Sequence, residues 1–150
     1  MARAILALGA NIGDAASQIE AAIKAIANHP QITLLKRSSI IVTPPWGVVD
    51  QDEFHNGAVL IETGLSPLDL LDFCLETENA LGRVRTQKWG PRIIDIDVIA
   101  YDRLEVESER LTLPHPYAHE RDFVLVPVRE IAPEVAEWLV GRRPGSHPLT

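Results

Sequence analysis

The 150-residue sequence lacks the features that define several large protein classes. A single cysteine, Cys74, excludes an internal disulfide, and no apolar run approaches the roughly 18 residues that cross a bilayer. A net charge of −7 argues against the broad basic surface that nucleic-acid binding needs. Walker A, Gly-x-Gly-x-x-Gly and Gly-x-Ser-x-Gly motifs are also missing, so any nucleotide would be bound outside those patterns.

These absences lead to expectations about location and organisation. The apolar N-terminal segment Ala4–Ala10 is too short for a signal peptide. With one cysteine as well, we expect a cytoplasmic protein that contacts neither membrane nor nucleic acid. Residues 1–150 have the length of one domain, and we expect a monomer whose tail, from about residue 142, is loosely ordered.

Apolar patterns and helix signals alternate along the chain. The predicted strands are Ala4–Leu8, Ile32–Val42, Gly57–Glu62, Ile93–Tyr101 and the short Leu111–Leu113. Helices are predicted from Asp14 to about Asn28 and from Ser66-Pro67 to about Leu81, with Gly82 as the stop. Phe123–Glu130 fits a strand or a helix. The order indicates an α+β, ferredoxin-like sandwich, a mostly antiparallel sheet with helices on one face and a site on the other.

Asp95 and Asp97 are candidates for metal binding. Residues two apart on a strand project to one face, so both carboxylates lie together on the otherwise apolar strand Ile93–Tyr101. Paired carboxylates repel each other and are usually compensated by a cation. Mg²⁺ suits them because it takes one or two carboxylates and shares phosphate oxygens. The alternatives are a solvated sheet face or an aspartate paired with arginine.

A basic loop precedes this pair of aspartates. It contains Arg83, Arg85, Lys88 and Arg92 within ten residues. Arginine binds phosphate through two parallel hydrogen bonds, and lysine acts as a point charge. The alternative is a solvated charged loop, but one Mg-polyphosphate would satisfy both the cations and the aspartates. Trp89 in this loop is either a core residue or a cover for a bound base.

Two segments that flank a long loop are candidates for binding a flat heterocycle. They are Thr43-Pro-Pro-Trp-Gly47 and Phe54-His-Asn56. Backbone carbonyls near the prolines and the Asn56 amide could form hydrogen bonds with such a ring, and the Phe54 side chain could stack on it. The alternative is a proline-rich turn with an aromatic plug.

These motifs together resemble those of the 6-hydroxymethyl-7,8-dihydropterin pyrophosphokinase family. The matching strings, in family order, are Leu8-Gly-Ala-Asn-Ile-Gly-Asp14, Thr43-Pro-Pro-Trp-Gly47, Asp50-Gln51 with Phe54-His-Asn56, Gly82-Arg-Val-Arg85, Trp89-Gly-Pro-Arg-Ile-Ile-Asp-Ile-Asp97, Leu113-Pro-His-Pro116 and Arg121-Asp-Phe-Val-Leu125. The resemblance covers about residues 4–135. It implies an α+β ferredoxin-like fold, in agreement with the predicted element order.

The resemblance also implies a reaction and a set of residues. The reaction is Mg²⁺-dependent transfer of diphosphate from ATP to the hydroxymethyl group of the pterin, with release of AMP, in folate biosynthesis. Asp95 and Asp97 would hold two Mg²⁺ ions and act in catalysis with Arg83 and Arg92 of a closing loop. The implied ATP contacts are Glu78, Arg85, Trp89, Arg92, Arg110, Thr112, His115 and Arg121. The implied pterin pocket consists of Thr43, Pro45, Trp46, Phe54, Asn56 and Phe123.

Two other function classes fit parts of the pattern. A non-catalytic ferredoxin-like module for RNA or a regulatory nucleotide predicts a basic, aromatic sheet, whereas this predicted sheet face carries two aspartates. A metal-dependent phosphohydrolase would use the same carboxylates. Formation of AMP from Mg-ATP only in the presence of the pterin distinguishes the transferase from both.

Overall fold

The computed structural model describes residues 1–11, 14–43, 54–83 and 94–142. The strands in these ranges are β1 (Ala2–Ala10), β2 (Ile32–Arg37), β3 (Ile41–Thr43), β4 (Phe54–Thr63), β5 (Asp95–Tyr101), β6 (Val106–Glu107) and β7 (Thr112–Leu113). The α-helices are α1 (Ala15–Ala27), α2 (Pro67–Arg83), α3 (Asp122–Ile131) and α4 (Pro133–Arg142), and a 3₁₀ turn spans Ala118–Glu120. None of these helices is long and apolar enough to cross a membrane.

The main sheet is antiparallel throughout its described strand pairs. Its order is β2-β4-β1-β5, and the short β3 also pairs with β4. β1 is therefore central, with β4 on one side and β5 on the other. β6 and β7 form a separate two-stranded sheet. This arrangement of an antiparallel sheet with packed helices confirms the predicted α+β fold class.

Two hydrophobic clusters lie on opposite faces of the main sheet. In the first, Ile19 of α1 and Leu70 of α2 pack with Leu6 of β1. In the second, Val128 of α3 packs with Ile5 of β1. Because neighbouring strand residues point to opposite faces, helices cover both sides of the sheet. The expectation of helices on one face only is therefore wrong.

The second cluster depends on α3, whose segment fits a strand or a helix by its sequence, and on α4, which has no counterpart among the predicted helices. α3 buries Val124, Val128 and Ile131 at helical spacing, although Pro127 within it counts against a helix and a strand alike. α4 was not predicted. It begins at Pro133, a residue favoured at the first position of a helix. The tail was predicted to begin at about residue 142; α4 includes Arg142, and residues 143–150 lie outside the described residues.

Several element boundaries differ from the predictions, among them those of α2, β2 and β4. α2 continues one residue past Gly82, the expected stop. The predicted strand Ile32–Val42 is divided into β2 and β3. β4 begins at Phe54 rather than at Gly57, so Asn56 is part of the sheet. The last difference matters for function, because it brings candidate binding residues into a fixed register with β1.

Candidate active site

The register of the sheet aligns candidate residues from three strands in one row. Gly9 of β1 pairs with Asn56 of β4 on one side and with Asp95 of β5 on the other. Directly paired residues in antiparallel strands project to the same face. The row therefore carries the Asn56 amide and the Asp95 carboxylate on either side of a glycine.

Neighbouring rows add further candidates to the same face. Ala7 of β1, two residues from Gly9, pairs with Asp97. Beyond β1, on the side away from β5, Thr43 at the end of β3 pairs with Phe54 of β4. Phe54 lies two residues from Asn56, so all of these side chains share one face. The predicted metal-binding and heterocycle-binding residues are thus brought together, as far as they are described.

Gly9 allows the Asn56 side chain to lie across the middle of this face. A Cβ atom at Gly9 would stand 2.9 Å from Oδ1 of Asn56. The Asn56 side chain itself is 7% exposed. Gly9 is not among the predicted site residues, although a glycine inside an apolar strand often marks such a close approach.

The carboxylates of Asp95 and Asp97 are exposed and offer hard oxygen donors. Within the described ranges, no group of three or more His, Cys, Asp or Glu residues is placed to hold a metal ion. Mg²⁺ does not require such a cage, since it keeps several waters and takes further oxygens from substrate phosphates. The donor set therefore fits Mg²⁺ that is bound together with a phosphate ligand.

Glu78 lies beside β5, on the buried part of α2. Its Oε2 accepts a hydrogen bond from the backbone N–H of Ile96 at 2.6 Å. Glu78 is 8% exposed and Ile96 is 2% exposed, so the bond is shielded from water. Ile96 separates the two aspartates. The residue implied as an ATP contact is thus attached to the strand that carries the metal candidates.

His115 reaches the same strand through its backbone and is neutral at neutral pH. Its N–H donates to the carbonyl of Ile99 at 2.9 Å, and its Nδ1 accepts the N–H of Tyr117 at 3.3 Å. Burial lowers the pKa of His115, the charge of Asp97 acts in the opposite direction, and Arg121 lowers it further. Because Nδ1 accepts a hydrogen bond, the ring proton is on Nε2, which can donate.

Arg121 and Phe123 stand together where α3 begins. The guanidinium carbon of Arg121 is 5.7 Å from the centre of the Phe123 ring and 5.5 Å from that of Tyr117. Cation–π attraction of this kind restricts the arginine. Phe123 is exposed, as a ring that stacks on a ligand must be. Arg121 also acts on the pKa of His115, so these candidates are neighbours.

Arg110 and Thr112 are candidates that the register does not place in these rows. Arg110, between β6 and β7, forms an ion pair with Asp72 of α2. Thr112 lies opposite Glu107 in the two-stranded sheet. Sequence patterns do not reveal the pair of Arg110 and Asp72, because the two residues are 38 positions apart.

The remaining candidates cannot be placed. Outside the described residues lie Pro45, Trp46, Arg85, Trp89 and Arg92. Arg83 is the last residue of α2, but its side chain is not described. The basic loop predicted from the sequence therefore stays a prediction.

Comparison with known proteins identifies the family. Residues 5–133 match the family model of 7,8-dihydro-6-hydroxymethylpterin-pyrophosphokinase (HPPK). The chain belongs to this family. It is an enzyme of folate biosynthesis, an ATP-dependent pyrophosphokinase that transfers diphosphate, which confirms the predicted enzyme class.

Curated relatives of this family match most of the chain. A protein of Methylorubrum extorquens is 54% identical over 135 residues, which are 90% of this chain and 85% of the relative. One from Bacillus subtilis (strain 168) is 44% identical over 132 residues, 88% of this chain and 79% of that protein. Both are named 2-amino-4-hydroxy-6-hydroxymethyldihydropteridine pyrophosphokinase.

Solved structures support the fold. A crystal structure of Plasmodium falciparum HPPK-DHPS superposes with a TM-score of 0.66 at 15% identity. The match covers 89% of this chain and 40% of that longer one. At this identity the likeness concerns the fold alone.

Proposed function

We propose that the enzyme transfers diphosphate from ATP to the hydroxymethyl group of 6-hydroxymethyl-7,8-dihydropterin in a reaction that requires Mg²⁺ and releases AMP. The observation that carries this proposal is the shared face of the sheet. On it, the carboxylates of β5 lie in register with the amide, ring and hydroxyl side chains of β3 and β4. A polyphosphate and a heterocycle bound side by side on this face could react directly.

The β3–β4 side of the face is suited to the pterin. The Asn56 amide offers both donors and an acceptor to the edge of the heterocycle, and its low exposure makes these bonds strong. Phe54 on β4 and Phe123 on α3 are the two rings proposed to stack on it. Thr43, Pro45 and Trp46 complete the proposed pocket by family resemblance.

The β5 side is suited to the triphosphate. Asp95 and Asp97 are proposed to hold two Mg²⁺ ions, which when bound would neutralise phosphate charge and polarise the reacting oxygens. Arg121 and the Nε2–H of neutral His115 would donate hydrogen bonds to phosphate oxygens. Arg83, Arg85, Trp89 and Arg92 keep the ATP-binding and catalytic roles that the resemblance implies.

Two further proposed ATP contacts are constrained by the partners that the structure gives them. Arg110 is paired with Asp72, so an ATP phosphate must share or replace that carboxylate. Thr112 lies on β7 and is paired with Glu107 of β6, so its proposed contact with ATP would form beside a carboxylate. Both contacts should be weaker contributors than Arg121, whose position two aromatic rings restrict.

The proposed chemistry needs positioning more than covalent catalysis. The pterin alcohol oxygen forms a bond to the β-phosphorus of ATP while the bond from that phosphorus to the α–β bridging oxygen breaks. The bridging oxygen leaves with AMP, and the alcohol proton passes to solvent. Holding both substrates on one rigid sheet lowers the entropic cost of this step.

A single assay tests the proposal. The enzyme is incubated with Mg-ATP, with and without 6-hydroxymethyl-7,8-dihydropterin, and the nucleotide products are measured. AMP that forms only with the pterin, and only when Mg²⁺ is present, is the expected result. Phosphate release without the pterin would favour a phosphohydrolase, and AMP formation in the presence of excess chelator would overturn the metal requirement.

The remaining proposals concern the state of the protein. We infer a single domain over residues 1–150, a monomer and a cytoplasmic location, with small molecules as its partners. Sedimentation equilibrium at micromolar concentration tests the monomer, with a mass near 16.6 kDa expected. A concentration-dependent rise to twice that mass would contradict it.

A further inference from the structure

β5 lies at one edge of the described main sheet, so the backbone N–H groups on its outer side need hydrogen-bond acceptors other than a neighbouring strand. The strand order β2-β4-β1-β5 leaves one side of β5 without a strand partner among the described residues. In an antiparallel sheet, alternate N–H groups point to opposite sides of a strand. The N–H of Ile96 points outward, away from β1, because it donates to Glu78 of α2.

The bond from Ile96 to Glu78 takes the place of a missing ladder bond. Both residues are buried, so water is a poor substitute acceptor. A buried N–H without an acceptor destabilises the folded state. At 2.6 Å the bond is short, and hydrogen bonds to a carboxylate are stronger than those between neutral groups.

The position of this bond links it to the proposed metal site. Ile96 is the residue between Asp95 and Asp97, and its side chain packs in the first cluster, on the opposite face. On the inner side, the same stretch pairs with Gly9, Leu8 and Ala7 of β1. The stretch is thus held from both sides, which fixes the direction of both carboxylates.

We propose that Glu78 is a positioning residue that fixes the Asp95–Asp97 stretch of β5 in extended form, so that both carboxylates face the substrates. This inference rests on the proposed function of the two aspartates. It assigns Glu78 a role different from the nucleotide contact that the family resemblance implies. Removal of a group that orients a metal ligand typically lowers metal affinity or activity about 10- to 100-fold.

The test compares three substitutions of Glu78 with a control on the same helix. Glu78→Ala removes the acceptor, Glu78→Gln keeps an acceptor oxygen without charge, and Glu78→Asp keeps the charge but shortens its reach. Glu76→Gln changes an exposed carboxylate of α2 and serves as the control. For each variant, kcat, KM for ATP, the Mg²⁺ concentration for half-maximal activity and the amide hydrogen exchange of Ile96 are measured.

We expect the Ala and Asp variants to lose about 10- to 100-fold in kcat and to need several-fold more Mg²⁺. KM for ATP should stay within about threefold, and the amide of Ile96 should exchange at least about tenfold faster. Glu78→Gln should recover most of both losses. The control should match the wild type.

Several outcomes would overturn the inference. If the Ala and Asp variants mainly raise KM for ATP and leave kcat and the Mg²⁺ requirement unchanged, Glu78 is a nucleotide contact. Unchanged exchange at Ile96 refutes the bond itself, whatever the activity. If Glu78→Ala does not fold, Glu78→Gln still decides, since a Gln variant with a protected Ile96 amide but a kcat at least about tenfold below the wild type contradicts positioning.

Failure of the proposed function gives a different result. In that case the wild type forms no pterin-dependent AMP, although the exchange of Ile96 still responds to Glu78→Ala. Asp97→Ala, measured in parallel, separates the two further. An active Asp97→Ala variant would refute the metal proposal. An inactive Asp97→Ala variant together with a fully active Glu78→Ala variant would refute only the positioning role of Glu78.

Discussion

The two ends of one sheet face differ sharply. At one end, α3 and α4 cover Ile5 and Ala58 in a closed apolar cluster. At the other, the same strands carry Asn56 and exposed aspartates. The change occurs within β5, between exposed Asp97 and Ile99, which is 1% exposed and lies two residues further on. We therefore expect substitution of Asp97 to affect mainly activity and substitution of Ile99, two residues further along β5, to affect mainly stability.

A β-bulge lies at the border between the two ends. The register of β1 and β5 shifts between Ile5 and Leu6, which leaves Ile99 as the extra residue. As a result, Ile99 and Ala100 both belong to the second cluster, although they are adjacent. The bulge thus places two consecutive apolar side chains under the helices, while the carbonyl of Ile99 receives the N–H of His115.

The largest expected effect is at the open end. Asp97→Ala should reduce pterin-dependent AMP formation by at least about 10³-fold, because it removes a proposed metal ligand. Its free energy of unfolding, from urea denaturation, should change by no more than about 1 kcal/mol, since the side chain is exposed. Asp69→Ala, an exposed carboxylate in the first turn of α2, is the control. Near-wild-type turnover by Asp97→Ala would contradict the proposal that the open end of this sheet face carries the metal site.

The opposite pattern is expected two residues away. Ile99→Ala should lower the free energy of unfolding by about 2–4 kcal/mol, because it leaves a cavity under α3. The kcat of the folded enzyme should stay within a few-fold of the wild type. Ile99→Val should cost about 0.5–1.5 kcal/mol and tests whether the loss follows volume. A tenfold fall in kcat at unchanged stability would show that the two ends are coupled.

The sequence predicts this division in part. Period-two spacing placed Asp95 and Asp97 on one face, and turn signals bounded the strands. It could not reveal that Asn56 lies across Gly9, because register between distant strands depends on the whole sheet. The hydrogen bond between Ile96 and Glu78 was not predictable either, because its donor is a backbone N–H, which does not depend on the residue type at position 96.

The covered end was predicted less well for a different reason. Val124, Val128 and Ile131 follow helical spacing, but the short apolar run also fits a buried strand, and its internal proline counts against both. Tertiary burial against the sheet decides in favour of the helix. Without α3 and α4, this face of the sheet was predicted to be free over its whole length, whereas only one end of it carries the site residues.

A smaller effect is expected where the site meets the backbone. Gly9→Ala should raise KM for the pterin about tenfold, because the new Cβ displaces the Asn56 amide. Stability should fall by about 1 kcal/mol or less, since the obstructing atom ends a side chain that can move. Gly64→Ala, whose Cβ would meet nothing closer than 3.5 Å, is the control.

A double-mutant cycle sharpens this prediction. If Gly9→Ala acts through the amide, adding it to Asn56→Ala should raise KM for the pterin no further. Additive effects would mean that Gly9 acts on the ligand directly, or through the strand, and the open end would then depend on its backbone rather than on side chains.

The smallest effect is expected from a polar contact at the covered end. The Glu130 carboxylate of α3 accepts hydrogen bonds from the N–H and the hydroxyl of Ser39, each at 3.0 Å. Glu130→Ala should lower the free energy of unfolding by less than about 1 kcal/mol, because the contact is exposed. Glu134→Ala on α4 is the control. KM for the pterin should remain within about twofold in both variants. Ser39 joins β2 to β3, which ends at Thr43, so a larger rise in KM would mean that α3 also positions the pterin side of the site, and the two ends would not be independent.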